Sequence, residues 1–150
     1  MMSERSNVEA AYARTLLPLA RMWRQSADRA LSGFGLSASG GWAIVQVGRL
    51  GDDVRQTDLA AELDVSAASL VRVVDQLVAA ELVDRQRDDV DARVSRVRLT
   101  ERGRALVAKI EAAFEALRRE MLADVADADL ATALRVAEQL EARFTRKRNR

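Results

Sequence analysis

The stretch QTDLAAELDVSAASLVRVVDQLVAAELV, from Gln56 to Val83, carries two short apolar patterns at helical spacing with a turn between them. Thr57 is placed to cap the first helix, and Ser66 to cap the second after a turn at Asp64 and Val65. The residues predicted to face inward are Leu59, Ala60, Leu63, Leu70, Val73, Val74, Leu77 and Val78. Two short helices joined by about three residues predict a helix-turn-helix.

The residues after this stretch alternate between apolar and charged side chains. The alternation runs through LVDRQR (82–87) and RVSRVRLT (93–100), on either side of the tip DDVDA (88–92). Because successive side chains on a strand point to opposite faces, the pattern predicts a two-stranded hairpin. A hairpin that directly follows a helix-turn-helix is interpreted as a wing.

The predicted wing is densely charged. From Arg85 to Arg96, twelve residues hold four arginines and three aspartates. A solvated loop is the usual outcome for such a run. In a wing, the arginines would contact phosphate or enter a minor groove, while the aspartates hold them in place and limit indiscriminate binding. The segment is therefore expected to reach toward a polyanion.

Helical patterns precede the helix-turn-helix. The first runs from about Val8 to Leu31; Pro18 either kinks it or starts a fresh helix, and SGFG (32–35) ends it. Its apolar face comprises Leu16, Leu19, Ala20, Trp23, Ala27, Ala30 and Leu31. A second helix is predicted from about Ser37 to Leu50, ending at GDD (51–53). Its expected inward residues are Trp42, Val45 and Leu50.

Helical patterns also follow the wing. Thr100 and Glu101 open a long helix to about Ala123, and Asp127 or Asp129 caps a last one. The apolar face of the last helix comprises Leu130, Leu134, Ala137, Leu140 and Phe144. This face is too extensive for a monomer to leave exposed, so we expect a dimer. The predicted fold class is mostly α with a small β-wing: a winged helix-turn-helix inserted between dimerisation helices at the N- and C-termini.

Composition excludes several function classes. The 150 residues are 49% hydrophobic, which indicates one folded domain, and they include neither cysteine nor histidine. Thiol chemistry, the commonest metal ligand and the commonest general base are thereby absent. No nucleophile elbow or phosphate loop occurs. We expect no enzyme, no metal and no cofactor. Without a membrane-length apolar run or a signal peptide, we expect a cytoplasmic protein.

Three segments together resemble the MarR family of bacterial transcription regulators: SLVRVVDQLVAAELVDRQ (69–86), the D-A-R at 91–93, and VRLTERG (97–103). The resemblance is closest to the SlyA branch, through ARMWR (20–24), and covers about Leu16 to Phe144. It implies a single domain over 1–150, with dimerisation helices at about 8–36 and 101–146. The DNA-binding lobe would occupy about 37–100.

The resemblance also implies a function. Family members are homodimers that bind pseudo-palindromic double-stranded DNA operators. A cytoplasmic, nucleoid-associated repressor or anti-silencer is therefore expected. Carried over onto this chain, the recognition helix is Ser66 to Ala80, and its exposed part would face the major groove. The DNA-contacting residues expected on this helix are Ser66, Ala67, Ala68, Ser69, Val71 and Arg72, and those expected on the wing are Arg85, Arg87, Asp91, Arg93 and Arg96.

Each of these assignments has a structural alternative. Arg72 could instead pair with Asp75 on the same helix, and Ser66 could serve only as a cap. Arg93 could pair with Asp88 or Asp91 and fix the wing tip. Family wings often carry another arginine where this chain has Ala92. The region 55–100 holds seven arginines and nine acidic residues, so only modest non-specific DNA affinity is expected.

Aromatic residues near the first two helices raise the possibility of a ligand. In the family, some members bind aromatic carboxylates in a crevice between the dimerisation helices and the DNA-binding lobe. The candidate pocket residues are Arg14, Arg21, Met22, Trp23 and Trp42, with Arg24 as an alternative cation. If these residues line a pocket rather than only packing in the core, a small aromatic carboxylate or phenolic ligand is expected. The rival function is a winged-helix protein-interaction module without specific DNA binding.

Overall fold

The structure, a computed structural model, describes residues 3–149; Met1, Met2 and Arg150 lie outside the described residues. Its elements are α1 (Glu4–Ser32), α2 (Ala38–Arg49), β1 (Asp53–Arg55), α3 (Gln56–Leu63), α4 (Ala67–Ala79), β2 (Val83–Arg87), β3 (Ser95–Leu99), α5 (Glu101–Met121) and α6 (Asp127–Arg148). This mostly helical architecture with one small antiparallel sheet confirms the predicted fold class. The chain divides into two compact units, the first ending at Leu117 and the second beginning at Arg118.

The core of the first unit forms around α2, which packs against α1, α3, α4 and β3. The buried residues of α2 are Gly40, Gly41, Ala43, Ile44, Val45 and Val47. Gly41 allows α1 to approach closely, because a Cβ there would stand 2.7 Å from Cδ2 of Leu31. Burying a side chain the size of Leu31 or Ile44 stabilises the fold by about 1.5–3 kcal/mol. These contacts hold the helix-turn-helix against the rest of the unit.

The predicted helix-turn-helix is confirmed as α3 and α4. Between them Asp64 adopts a left-handed conformation (φ 53°) and donates its N–H to the Ala61 carbonyl at 3.2 Å. Aspartate tolerates this conformation better than most residues. Ser66 then caps α4, since its Oγ accepts the N–H of Ser69 at 3.1 Å. Helix α4 begins where the sequence predicted.

Three sequence predictions about α2, α3 and α4 are wrong. Thr57 lies inside α3, which begins at Gln56 directly after β1 and has no side-chain cap. Val78 was predicted to face inward but is 38% exposed; the residues that α4 buries are Leu70, Val74 and Leu77. Leu50 follows the last residue of α2 and is also exposed.

The wing belongs to a three-stranded sheet in the order β1-β3-β2, with both pairs antiparallel. The sequence predicted β2 and β3 but not β1, whose first residue, Asp53, it placed at the end of the second helix. In the register, Val54 of β1 and Arg85 of β2 both lie opposite Val97 of β3. Val54 and Val97 are buried, whereas three residues are too few for β1 to show an alternating pattern.

Helix α1 continues unbroken through Pro18, so the predicted restart there is wrong. Only Ala27 and Leu31 are buried on its predicted apolar face, near the C-terminal end. Leu16, Leu19 and Trp23 are exposed on the single chain. None of the helices within residues 3–149 combines the length and the apolar character needed to cross a membrane.

Helix α5 begins at the predicted cap. Thr100 Oγ1 accepts the N–H of Gly103 at 3.0 Å and donates to the Glu81 carbonyl at 2.8 Å. The first turn of α5 therefore lies directly on the connection between α4 and β2. Gly103 makes this possible, because a Cβ there would overlap the carbonyl oxygen of Leu82.

The second unit contains the end of α5 and all of α6. Helix α6 begins after Ala126 without a side-chain cap, so the predicted cap by Asp127 or Asp129 is wrong. Both aspartates lie in the first turn, where a negative charge interacts favourably with the helix dipole. No residue of α6 is buried; Leu130, Leu134 and Phe144 are exposed on the single chain.

Replacing Gly103 by alanine should destabilise the protein by about 1–3 kcal/mol, because the added methyl group must displace backbone. In an unobstructed helix the same change stabilises by roughly 0.5–1 kcal/mol. The free energy of unfolding from urea titrations is the measurement. Ala105→Gly, at an exposed position of the same helix, controls for helix propensity and should cost only about 1 kcal/mol. A Gly103→Ala protein as stable as the wild type contradicts the close approach.

Candidate nucleic-acid interface

The N-terminal half of α4 presents one face to solvent. Leu70 is buried and anchors this half of the helix, together with Val74 one turn later. The exposed residues around Leu70 are the six predicted to contact DNA: Ser66, Ala67, Ala68, Ser69, Val71 and Arg72. The structure therefore brings all six recognition-helix candidates onto the accessible part of α4.

Arg72 makes no ion pair within residues 3–149. The alternative partner Asp75 is engaged elsewhere: its Oδ1 lies 2.7 Å from Nη1 of Arg85. Arg72 and Arg87 are the two arginines of residues 37–100 that have no ion-pair partner in the described part of the chain. Their charges are therefore available to a ligand outside the chain.

Arg85 joins the wing to the recognition helix. Besides its ion pair with Asp75 of α4, its Nη2 donates to the Val71 carbonyl at 3.5 Å. The residue lies on β2, so these contacts fix the strand relative to α4. The structure thus engages Arg85 inside the lobe, whereas the sequence placed it only among residues facing DNA.

The wing tip closes around Asp88, which is 5% exposed and is the only buried charged residue within residues 3–149. Its Oδ2 accepts the backbone N–H groups of Val90 at 3.2 Å and Asp91 at 3.0 Å. Its own N–H donates to the Val94 carbonyl at 2.8 Å. Sequence reasoning named Asp88 only as one alternative partner for Arg93.

Arginines complete the environment of Asp88. Arg96 Nη1 donates to Oδ1 at 2.9 Å, and Arg55 Nη2 donates to Oδ2 at 3.2 Å. Hydrogen bonding from Arg96, followed by that from the Asp91 N–H, lowers the pKa of Asp88 to about 2. The same pairing, with Asp88 first and Asp53 second, raises the pKa of Arg96. The carboxylate is therefore charged throughout the physiological range.

Arg96 also binds β1. Its Nε donates to Asp53 Oδ1 and its Nη2 to the Asp53 carbonyl, both at 2.9 Å. Arg98 Nη2 adds a bond to Asp53 Oδ2 at 3.1 Å. These bonds from Arg96 and then Arg98 lower the pKa of Asp53. Arg96, which the sequence placed among the DNA-facing arginines, is engaged by carboxylates on both sides.

Arg93 lies at the wing tip and points to solvent. It pairs with Asp91 through Nε–Oδ1 at 3.1 Å and Nη2–Oδ2 at 3.2 Å, yet its side chain is 91% exposed. Hydrogen bonds from the Arg93 side chain, and then from its N–H, lower the pKa of Asp91. Of the two alternative partners for Arg93, the structure selects Asp91. The guanidinium is held in place without being buried.

Two of the predicted pocket residues meet in a cleft of about 380 Å³. Trp23 and Trp42 line it together with Leu16, Leu19, Ala20 and Arg24. The Arg24 guanidinium lies 4.3 Å from the centre of the Trp42 ring. Trp42 Nε1 donates to Asp28 Oδ1 at 2.6 Å, and Arg24 Nε donates to the same atom at 3.1 Å.

The other predicted pocket residues lie elsewhere. Arg14, Arg21 and Met22 are exposed on α1 and do not line the cleft, so Arg24 is its cation. Trp42 also stacks on Phe114, with ring centres 5.3 Å apart, which fixes this wall of the cleft. No cluster of three or more acidic side chains that could hold a metal ion occurs within residues 3–149.

Comparison with known proteins finds one matching family model and several solved structures of similar fold. The model of the MarR family matches residues 34–94, from the end of the first helix to the wing tip. The crystal structure of transcriptional regulator PA3341 has 28% sequence identity and a TM-score of 0.81, over 90% of this chain and 98% of that one. AbsC, a MarR family transcriptional regulator from Streptomyces coelicolor, has 26% identity and a TM-score of 0.75, over 98% of each chain.

A mutant MarR from E. coli in complex with operator DNA shares the fold, with 20% identity and a TM-score of 0.72, over 92% of this chain and 99% of that one. The likenesses to PA3341 and AbsC confirm the winged-helix fold. PA3341 and AbsC are both transcriptional regulators, which agrees with the prediction of a regulator rather than an enzyme.

The pKa of Asp88 predicts how the stability of the protein depends on pH. Since the folded-state pKa of about 2 lies below the usual 3.8, this carboxylate stabilises the fold above about pH 4. That contribution is lost as the pH falls toward 2, because the unfolded chain takes up the proton first. Asp88→Asn should therefore show a smaller decline in unfolding free energy between about pH 5 and pH 2.5 than the wild type.

The measurement is urea unfolding at several pH values for both proteins. Asp89→Asn, which changes the exposed neighbouring carboxylate, is the control and should follow the wild-type decline. Identical pH profiles for wild type and Asp88→Asn would show that the Asp88 environment has been misassigned.

Proposed function

We propose that this protein is a SlyA-like member of the MarR family that binds pseudo-palindromic double-stranded DNA operators as a homodimer. One observation carries the proposal: α4 exposes Arg72, which has no ion-pair partner within residues 3–149, and the wing is linked to the same helix through Arg85. The wing in turn presents Arg93, which is 91% exposed and pairs with Asp91. A recognition helix for the major groove and a cationic wing for the minor groove are the two parts that such a regulator needs.

We assign the candidate residues to two roles. Ser69, Ala67, Ala68, Val71 and Arg72 contact the major groove. Ser66 serves as the cap that begins the helix. On the wing, Arg87 and Arg93 contact the DNA backbone or the minor groove. Arg85, Asp91 and Arg96 position those contacts through the bonds they make inside the lobe.

A homodimer accounts for the apolar residues that the single chain leaves uncovered. On α1 these include Val8, Leu16 and Leu19, and on α6 they include Leu134 and Phe144, of which Phe144 is 67% exposed. A second copy would cover them, since exposed apolar surface of this extent marks an association site. Both recognition helices engage one face of the duplex only if they stand about 34–36 Å apart.

Regulation then follows from occupancy of a promoter. A dimer bound there excludes polymerase or a competing DNA-binding protein, which makes the protein a repressor or an anti-silencer, respectively. This activity places it in the cytoplasm, on the nucleoid. A ligand that alters the spacing of the two recognition helices would release the operator.

The cleft at Trp23 and Trp42 is the proposed ligand site. Its walls are aromatic and aliphatic, and Arg24 supplies a cation for a small aromatic carboxylate or a phenolic compound. The ligand carboxylate would compete with Asp28 for the Arg24 guanidinium, since Arg24 Nε lies 3.1 Å from Asp28 Oδ1. Binding would then change the contact between α1 and α2 at Trp42.

Arg72 and Arg93 should fail differently when each is replaced by alanine. Arg72→Ala should weaken the selected operator by about 1–3 kcal/mol and random duplex much less, because its loss removes a base contact. Arg93→Ala should weaken both duplexes more evenly. It should also reduce the slope of log affinity against log salt by about one unit for each lost phosphate contact.

The measurement is affinity for one operator, selected by the full chain from a random pool, and for one random duplex across a salt series. Asp91→Ala, added to the series, should reproduce part of the Arg93→Ala defect, because the carboxylate positions that guanidinium. The proposal fails if the chain enriches no duplex, as expected of a protein-interaction module. It also fails if Arg72→Ala weakens both duplexes equally while Arg93→Ala affects neither.

Benzoate should quench the tryptophan fluorescence, because both tryptophans of the sequence line the cleft. Arg24→Gln should weaken this binding about tenfold or more, as expected for loss of a charge-assisted hydrogen bond. Arg21→Gln, an exposed arginine outside the cleft, is the matched control and should leave it unchanged. Fluorescence that does not respond to benzoate, or equal effects of the two variants, argues against the ligand site.

A further inference from the structure

The outer face of the first turns of α4 lacks charge. Residues 65–71, VSAASLV, include no charged side chain in a chain that is 31% charged. A surface helix ordinarily carries charged residues on the side opposite its core. Here the exposed side carries the methyl groups of Ala67, Ala68 and Val71, of which Val71 is 41% exposed. The helix therefore presents a small apolar surface outward.

The two serines of this segment are engaged with each other. Ser66 Oγ accepts the Ser69 N–H at 3.1 Å, and the Ser66 hydroxyl donates to Ser69 Oγ at 2.8 Å. The donor of Ser66 is thereby used inside the cap. Both serines are uncharged, so the exposed side of these turns remains without charge.

Arg72 lies beside these methyl groups. Positions 68 and 72 are four residues apart and positions 68 and 71 are three apart, so these three side chains are neighbours on the helix surface. Positions 67 and 71 are neighbours for the same reason. The exposed face therefore combines a patch of methyl groups with one guanidinium that has no ion-pair partner within residues 3–149.

We propose, on the basis of the proposed function, that α4 reads operator half-sites in which thymines lie next to a guanine. In the major groove, the thymine C5-methyl is the group that accepts an apolar contact, and guanine N7 and O6 accept a bidentate arginine. Ala67, Ala68 and Val71 contact thymine methyls, and Arg72 donates to the guanine. Other base edges at the methyl positions present polar groups that these side chains would leave unpaired.

A duplex is the occupant that the charges favour. Arg72 and Arg87 lack partners in the described chain, and the exposed Arg93 lies on the wing that is fixed to the same helix. A partner protein with an apolar patch would leave these cations unused. The outcomes of the test distinguish a DNA duplex from a partner protein.

The test uses the full chain and the duplex that it enriches most from a random pool. Each thymine is replaced in turn by deoxyuridine, which removes only the C5-methyl, and each guanine by 7-deazaguanine, which removes N7. Wild type should lose about fourfold in affinity for each contacted methyl, at matching positions of both half-sites. Val71→Ser should abolish the thymine-over-uracil preference at one position of each half-site. Arg72→Ala should abolish the response to one 7-deazaguanine.

Val78→Ser is the matched control, since it makes the same change at an exposed valine near the other end of α4. It should keep the full thymine preference. An enriched duplex whose affinity does not respond to any uracil overturns the inference while leaving the proposed function intact. So does a Val71→Ser protein that still prefers thymine everywhere, the result expected of a protein-docking patch. Failure to enrich any duplex overturns the proposed function itself.

Discussion

The carboxylate of Asp88 ties the wing tip to β1 and β3. It is buried, and a buried carboxylate is tolerated only when hydrogen-bond donors surround it. The donors come from the tip itself, from Arg96 on β3 and from Arg55 at the end of β1. Asp88 also accepts the N–H of Asp91, whose carboxylate pairs with Arg93. The position of Arg93 on the wing is therefore set by a charge a few residues away.

The same network bears on how a net-negative segment could bind a polyanion, as the proposed function requires. Asp53 and Asp88 neutralise Arg96, and Asp75 engages Arg85. Many of the charged side chains between residues 55 and 100 thus pair with one another and join the strands and helices of this segment. Arg72, Arg87 and Arg93 remain directed to solvent, so placement rather than net charge determines what the lobe can bind.

The sequence predicted the parts whose signals are local. Helical periodicity and the caps Ser66 and Thr100 located the recognition helix and the start of α5, and alternation located β2 and β3. It could not predict β1, since three residues carry no periodicity, nor the burial of Asp88, which depends on arginines far apart in the chain. The engagement of Arg85 and Arg96 was missed for the same reason. Likewise Arg24, rather than Arg14 or Arg21, lines the cleft, because a single pattern cannot distinguish neighbouring arginines on one helix.

A double-mutant cycle tests most directly whether Asp88 positions the wing on DNA. Operator affinity would be measured for the wild type, Asp88→Asn, Arg93→Ala and the double variant, with folding of each checked by urea unfolding. If the buried carboxylate acts by placing Arg93, both single changes remove the same contact, and the double variant binds about as weakly as the weaker single variant. Losses that simply add, or an Asp88→Asn protein that binds as tightly as the wild type, would contradict the account.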